Sequence, residues 1–152
     1  MPNWAVIIGF GNPIMSDDGA GVAAIDLFKT MPLPAGVDLA ECGTSSLDAI
    51  PFLEGKKLAI LIDTVRAGGE PGAVYRFTAA DLRPTPQQTL SLHSIRLVDS
   101  MQLWELQLGQ LPEIVIYGIE PQTVDIGLDL SPPVRAALPK LCEMVLAELR
   151  RR

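Results

Sequence analysis

Leu58-Ala59-Ile60-Leu61-Ile62-Asp63 is the most apolar short run in the chain, and it ends abruptly on a carboxylate. Five successive apolar residues without alternation read as a strand covered on both faces, the central position of a largely parallel sheet. Working outward, Ala5 to Gly9, Val37 to Cys42 and Ile114 to Ile119 form further strands. Amphipathic stretches lie between them. Gly19 to Lys29 reads as a helix with Val22, Ile25 and Phe28 inward, and Ser94 to Leu108 as another. Ser45 or Ser46 can cap a short helix running to Leu53. From Pro132 onward, Val134, Leu138, Leu141, Val145 and Leu149 recur at helical spacing, with Pro139 expected to kink or split the element. Ala73 to Phe77 alternates behind the Pro71-Gly72 turn, as an edge strand does. Its short link to the central strand predicts antiparallel pairing with that strand. Alternation of this kind specifies an α/β domain, a roughly five-stranded mixed sheet between helices.

The composition is compatible with that reading. The 152 residues suit a single domain, 1–152, with 48% hydrophobic and 20% charged residues to supply a core and a surface. A net charge of −6, with the only basic cluster at Arg150-Arg151-Arg152, argues against a nucleic-acid partner. No apolar run is long enough to span a bilayer and the start lacks a signal-peptide pattern, so the expected setting is cytoplasmic, with no membrane partner. Cys42 and Cys142, far apart and without a Cys-x-x-Cys pair, read as buried small hydrophobes.

In open sheets of this kind ligands bind beyond the carboxyl ends of the strands. Acidic residues occupy three such ends: Asp17-Asp18 after the first strand, Asp63 after the third, and Glu120 after the last. The first loop, Gly9-Phe10-Gly11-Asn12-Pro13-Ile14-Met15-Ser16-Asp17-Asp18-Gly19, has Ile14 where a dinucleotide fingerprint would need its third glycine, and its two acids would repel a pyrophosphate. One aspartate there suffices as a helix cap, so the second invites a metal or proton-handling role. Asp63 could hold a metal or cap the amides of Thr64 and Val65. His93, the only histidine, precedes the third helix, and with two carboxylates it makes a donor set suited to nickel, zinc or iron. Glu120 reads equally as a solvated loop residue or a substrate contact, and Gly43-Thr44 as a plain turn or a cleft rim.

Gly-x-Gly-Asn followed by Asp-Asp-Gly-x-Gly, the Gly43-Thr44 turn, the strand ending in Asp63, Pro71-Gly72, His93 and Gly118-Ile119-Glu120-Pro121, in that order, resemble the hydrogenase maturation endopeptidases. The resemblance runs from Ala5 to about Leu149. It implies a three-layer α/β/α sandwich and removal of a C-terminal extension from the large-subunit precursor of a [NiFe] hydrogenase after nickel insertion. It also implies a metal site at Asp18, Asp63 and His93, and no serine or cysteine nucleophile. The nickel would arrive with the substrate, and zinc or cadmium could occupy the same ligands. Where Asp18 stands, some relatives carry glutamate. Aspartate is one methylene shorter, so the loop must approach closer or the contact must run through water. Asp17 is the expected carboxylate for activating the attacking water, Gly43, Thr44 and Glu120 the expected cleft residues, and a monomer the expected state. A receiver-like phospho-acceptor domain shares the placement of acids after strands one and three. It would need a lysine after the last strand, where this chain has Glu120-Pro121 and no lysine until Lys140.

Overall fold

The computed structural model describes residues 3–82 and 92–152, and side chains among these outside Leu82 and residues 92–98. Strands β1 (Ala5–Phe10), β2 (Val37–Cys42), β3 (Leu58–Thr64), β4 (Val74–Thr78) and β5 (Glu113–Ile119) form one sheet in the order β2-β1-β3-β5-β4. All neighbours are parallel except β4, which runs antiparallel to β5. Helices α1 (Ala20–Phe28) and α4 (Pro132–Arg150) cover one face, and α2 (Ile50–Leu53) and α3 (Leu92–Leu108) the other. The result is the mostly parallel α/β sandwich that the strand pattern predicts.

Alternate residues of each central strand enter opposite cores, because side chains change face at every step along a strand. Leu58, Ile60 and Ile62 of β3 join Phe28, Leu141 and Val145 on one side. Ala59 and Leu61 join Leu53 and Trp104 on the other. This two-sided burial is why β1, β3 and β5 read as unbroken apolar runs.

One expectation is corrected and another is narrowed. β4 does not pair with β3. It crosses to the far side of β5, which inserts between them. β5 is buried along nearly its whole length and takes the interior slot, whereas β4 carries the exposed Arg76 and takes the edge. There Arg76 Nε donates to Glu148 Oε1 of α4 at 2.7 Å and Tyr117 Oη to the same oxygen at 3.1 Å, tying the edge strand down. Pro139 does not split the last helix, which is continuous from Pro132 to Arg150. The proline sits on the exposed face, where water can solvate the carbonyl that loses its amide partner.

Glycines bring α1 close enough to the sheet to build a site. A Cβ at Gly9 would lie 2.2 Å from the carbonyl oxygen of Gly21, and one at Gly21 would lie 2.4 Å from that of Phe10 and 2.7 Å from that of Ile62. The start of α1 therefore rests on the carboxyl ends of β1 and β3, backbone against backbone. A 3-10 turn at Ser16–Gly19 feeds into α1 and delivers Asp17 and Asp18 to that end of the sheet.

Candidate functional site

A cleft of about 280 Å³ opens at the carboxyl ends of β1, β2 and β3. Asp18 and Asp63 both line it, with Gly43 and Thr44 after β2 and Asp99 and Ser100 from α3. Tertiary structure thus brings together two acids and the Gly43-Thr44 turn. Both acids are partly accessible. Asp18 Oδ2 accepts from the Asn12 amide at 2.9 Å, and its Oδ1 from the Thr64 hydroxyl at 3.2 Å. Asp63 Oδ1 accepts from the Thr64 amide at 2.8 Å. The capping role weighed for Asp63 is therefore present, alongside its place in the cleft. Thr64 touches both acids, one through its main chain and one through its side chain. It is 2% exposed, and nothing in the sequence marks it beyond its position after Asp63.

Asp17 and Glu120 have other duties. Asp17 is 0% exposed. Its Oδ2 accepts from the amides of Gln122 at 2.8 Å and Thr123 at 3.0 Å and from the Ser131 hydroxyl at 2.7 Å, while Oδ1 accepts from the Ser131 amide at 2.7 Å. Burial pushes the carboxyl pKa up, but these hydrogen bonds outweigh it and hold the pKa below its ordinary value. A wholly buried carboxylate with both oxygens engaged is poorly placed to take a proton from an attacking water, so the geometry assigns Asp17 to clamping the chain after β5. Neither aspartate caps a helix with its side chain. Glu120 is also buried, at 5% exposure, and its Oε1 accepts from Ala67 N, Gly69 N and Tyr75 Oη at 2.9, 3.0 and 2.9 Å. It is neither solvated nor at the cleft, and it organises the loop between β3 and β4.

His93 lies in the first turn of α3, but its side chain lies outside the described residues. The helix that it opens borders the cleft through Asp99, Ser100 and Leu103. Asp99 is a third acid at the cleft that no sequence signal singles out, since it looks like any polar residue on an amphipathic helix. Among the described residues, no three His, Cys, Asp or Glu side chains gather as a metal-holding group. Cys42 and Cys142 are buried free thiols. Burial, with Asp48 adding to it, pushes the Cys42 pKa up to about 11, and burial raises that of Cys142 to about 12.

The family model for hydrogenase maturation proteases matches residues 22–148. The chain belongs to that family. A hydrogenase expression/formation protein HupD of Bradyrhizobium diazoefficiens is 31% identical over 137 residues, 88% of this chain and 71% of its own. Among solved structures, a hydrogenase 2 maturation peptidase from Thaumarchaeota archaeon SCGC_AB-539-E09 superposes with a TM-score of 0.73 at 30% identity, covering 97% of this chain and 98% of its own. The hydrogenase maturating endopeptidase HybD from E. coli reaches a TM-score of 0.82 at 22% identity over 97% and 93% of the two chains, a likeness of fold. Family membership replaces the phospho-acceptor alternative. As in other sheets of this kind, the cleft lies at the carboxyl ends of the strands. No described helix is long and apolar enough to cross a membrane.

Proposed function

We propose that this family member is a cytoplasmic, monomeric endopeptidase that removes the C-terminal extension of a [NiFe]-hydrogenase large-subunit precursor once nickel has been inserted. The observation that carries the reading is the convergence of Asp18 and Asp63, remote in sequence, on one cleft bordered by the helix that His93 opens. Two carboxylates and an imidazole are a borderline-metal donor set, so the nickel that the precursor brings fits their chemistry, as would zinc or cadmium added in its place. Asp18 and Asp63 would grip that ion only on a loaded precursor, and docking thereby checks that metal has arrived. A bound metal can polarise a carbonyl or lower the pKa of a water. Gly43 and Thr44, on the β2 side of the cleft, would border the scissile segment. With Asp17 clamped elsewhere, Asp63 or Asp18 is the carboxylate available to receive a proton from the attacking water. Both cysteines are buried and held as thiols, which supports a route without a cysteine nucleophile.

The test is processing of a nickel-loaded precursor followed by mass measurement of the large subunit. The wild-type chain is expected to release the extension, and Asp18→Ala, Asp63→Ala and His93→Ala to leave it attached while retaining the wild-type melting temperature. Unimpaired trimming by the folded His93 variant would overturn the metal-recognition reading. Equal trimming of nickel-free precursor would overturn the metal check.

A further inference from the structure

The segment after β5 is fastened to the first loop with unusual thoroughness. Besides the four hydrogen bonds at the Asp17 carboxylate, Asp17 N donates to Thr123 O at 3.0 Å, Ser16 N to Gly127 O at 2.8 Å and Gly127 N to Ile14 O at 2.9 Å. Ser16 Oγ donates to Asp125 O at 2.7 Å, with Ser16 held at a φ of 51°. Met15 and Gly127 pair as a parallel bridge. Ordering a loop costs conformational entropy, which is ordinarily offset by burying apolar side chains. Here Leu130 packs on the core, but polar bonds hold the rest of the backbone while three large aliphatics stand exposed. Ile126 is 86% exposed, Leu128 82% and Ile14 54%. Ile126 and Leu128 flank Gly127, and Gly127 bonds to Ile14, so the three sit on one stitched ribbon. A single exposed aliphatic needs no explanation, but a cluster on a fixed platform marks a contact surface.

The platform adjoins the cleft. A second hollow of about 200 Å³, lined by Met15, Asp18, Thr64, Arg66, Pro121 and Val124, shares Asp18 with the first and leads onto this segment. Two of its lining residues belong to the ribbon: Met15, which bridges to Gly127, and Val124. Asp125 and Asp129 bracket the two aliphatics, both exposed, Asp129 with Arg135 at 3.9 Å and Asp125 accepting from the Thr123 hydroxyl at 3.4 Å. We infer that Ile14, Ile126 and Leu128 form the docking platform for the substrate protein itself, receiving a segment that carries aliphatic side chains beside a basic residue. The inference rests on the proposed function for the identity of that protein. Asp17 then acts as a positioning residue, holding the platform in place from beneath.

Steady-state trimming of the nickel-loaded precursor tests this. Ile126→Ser with Leu128→Ser should raise KM about tenfold and leave kcat unchanged, because neither side chain meets the reacting atoms. The Asp17→Asn change should raise KM on its own yet add little to the double variant, since it displaces the same platform. Asp125→Asn with Asp129→Asn should raise KM more at low than at high ionic strength, and a salt-independent result would remove the basic residue from the proposal. A benzoylphenylalanine replacing Ile126 in the otherwise intact chain should crosslink to the precursor. An unchanged KM in the serine variant, or a crosslink only to a second copy of this chain, overturns the platform while wild-type trimming leaves the proposed activity standing. A wild-type chain that leaves the precursor uncut overturns that activity and this occupant together.

Discussion

The cleft beyond β1 and β3 and the loop cluster beside β5 both carry carboxylates at strand ends, and they use them in opposite ways. In the cleft, Asp18 and Asp63 remain partly accessible and line a cavity. Beside β5, Asp17 and Glu120 are buried, with four hydrogen bonds on the Asp17 carboxylate and three on Glu120 Oε1. The contrast is sharpest between Asp17 and Asp18, adjacent in the chain. A carboxylate at the end of a buried strand is therefore not a functional signal in itself. Both kinds accept from backbone amides, so what decides the use is burial: Asp18 and Asp63 keep a face open to the cleft, whereas Asp17 and Glu120 are closed in.

Substitutions can break this contrast, and the largest effect belongs to the cleft. Asp63→Ala and Asp18→Ala should each reduce precursor trimming on the order of a thousandfold, about 4 kcal/mol of transition-state stabilisation. Thermal melting should change little, since both groups are partly exposed. A comparable loss of melting temperature would show that they are structural like their buried counterparts.

Asp17→Asn should do the reverse. Both carboxylate oxygens of Asp17 accept hydrogen bonds, so an amide nitrogen in place of either would face donors and leave buried N–H or O–H groups without an acceptor. The expected loss is about 3 kcal/mol of unfolding free energy, read from urea denaturation. Acidification should mimic it. The folded pKa of Asp17 lies below the ordinary 3.8, so the stabilisation is present above that value and is lost as pH falls through the folded pKa. Between pH 6 and pH 2 the wild-type chain should lose more stability than Asp17→Asn, which has no proton to gain there. Equal acid limbs would place the clamp elsewhere.

Glu120→Gln should have the smallest effect, below about 1 kcal/mol. All three donors converge on one oxygen, Oε1, and an amide oxygen can accept the same bonds. A large loss would show that the charge of Glu120, rather than its geometry, holds the loop between β3 and β4.

Much of this molecule is legible along the chain. Unbroken apolar runs specify β1, β3 and β5 as strands buried on both faces, and the alternating run before Thr78 specifies an edge. The placement of Asp17, Asp18, Asp63 and Glu120 at the carboxyl side of the sheet follows from the same reading, because each comes at or after the end of a strand's apolar run. Only the tertiary structure decides the rest. Burial on both faces does not say which strand lies alongside, so the insertion of β5 between β3 and β4 is invisible in sequence. Asp17 differs from Asp18 through donors 105 and 114 residues away, and local pattern cannot report those. Asp99 enters the cleft only because α3 packs along it. Sequence periodicity fixes which face of an element is apolar, whereas the partner of each polar group is set by long-range packing, and in this chain that packing separates clamp from cleft.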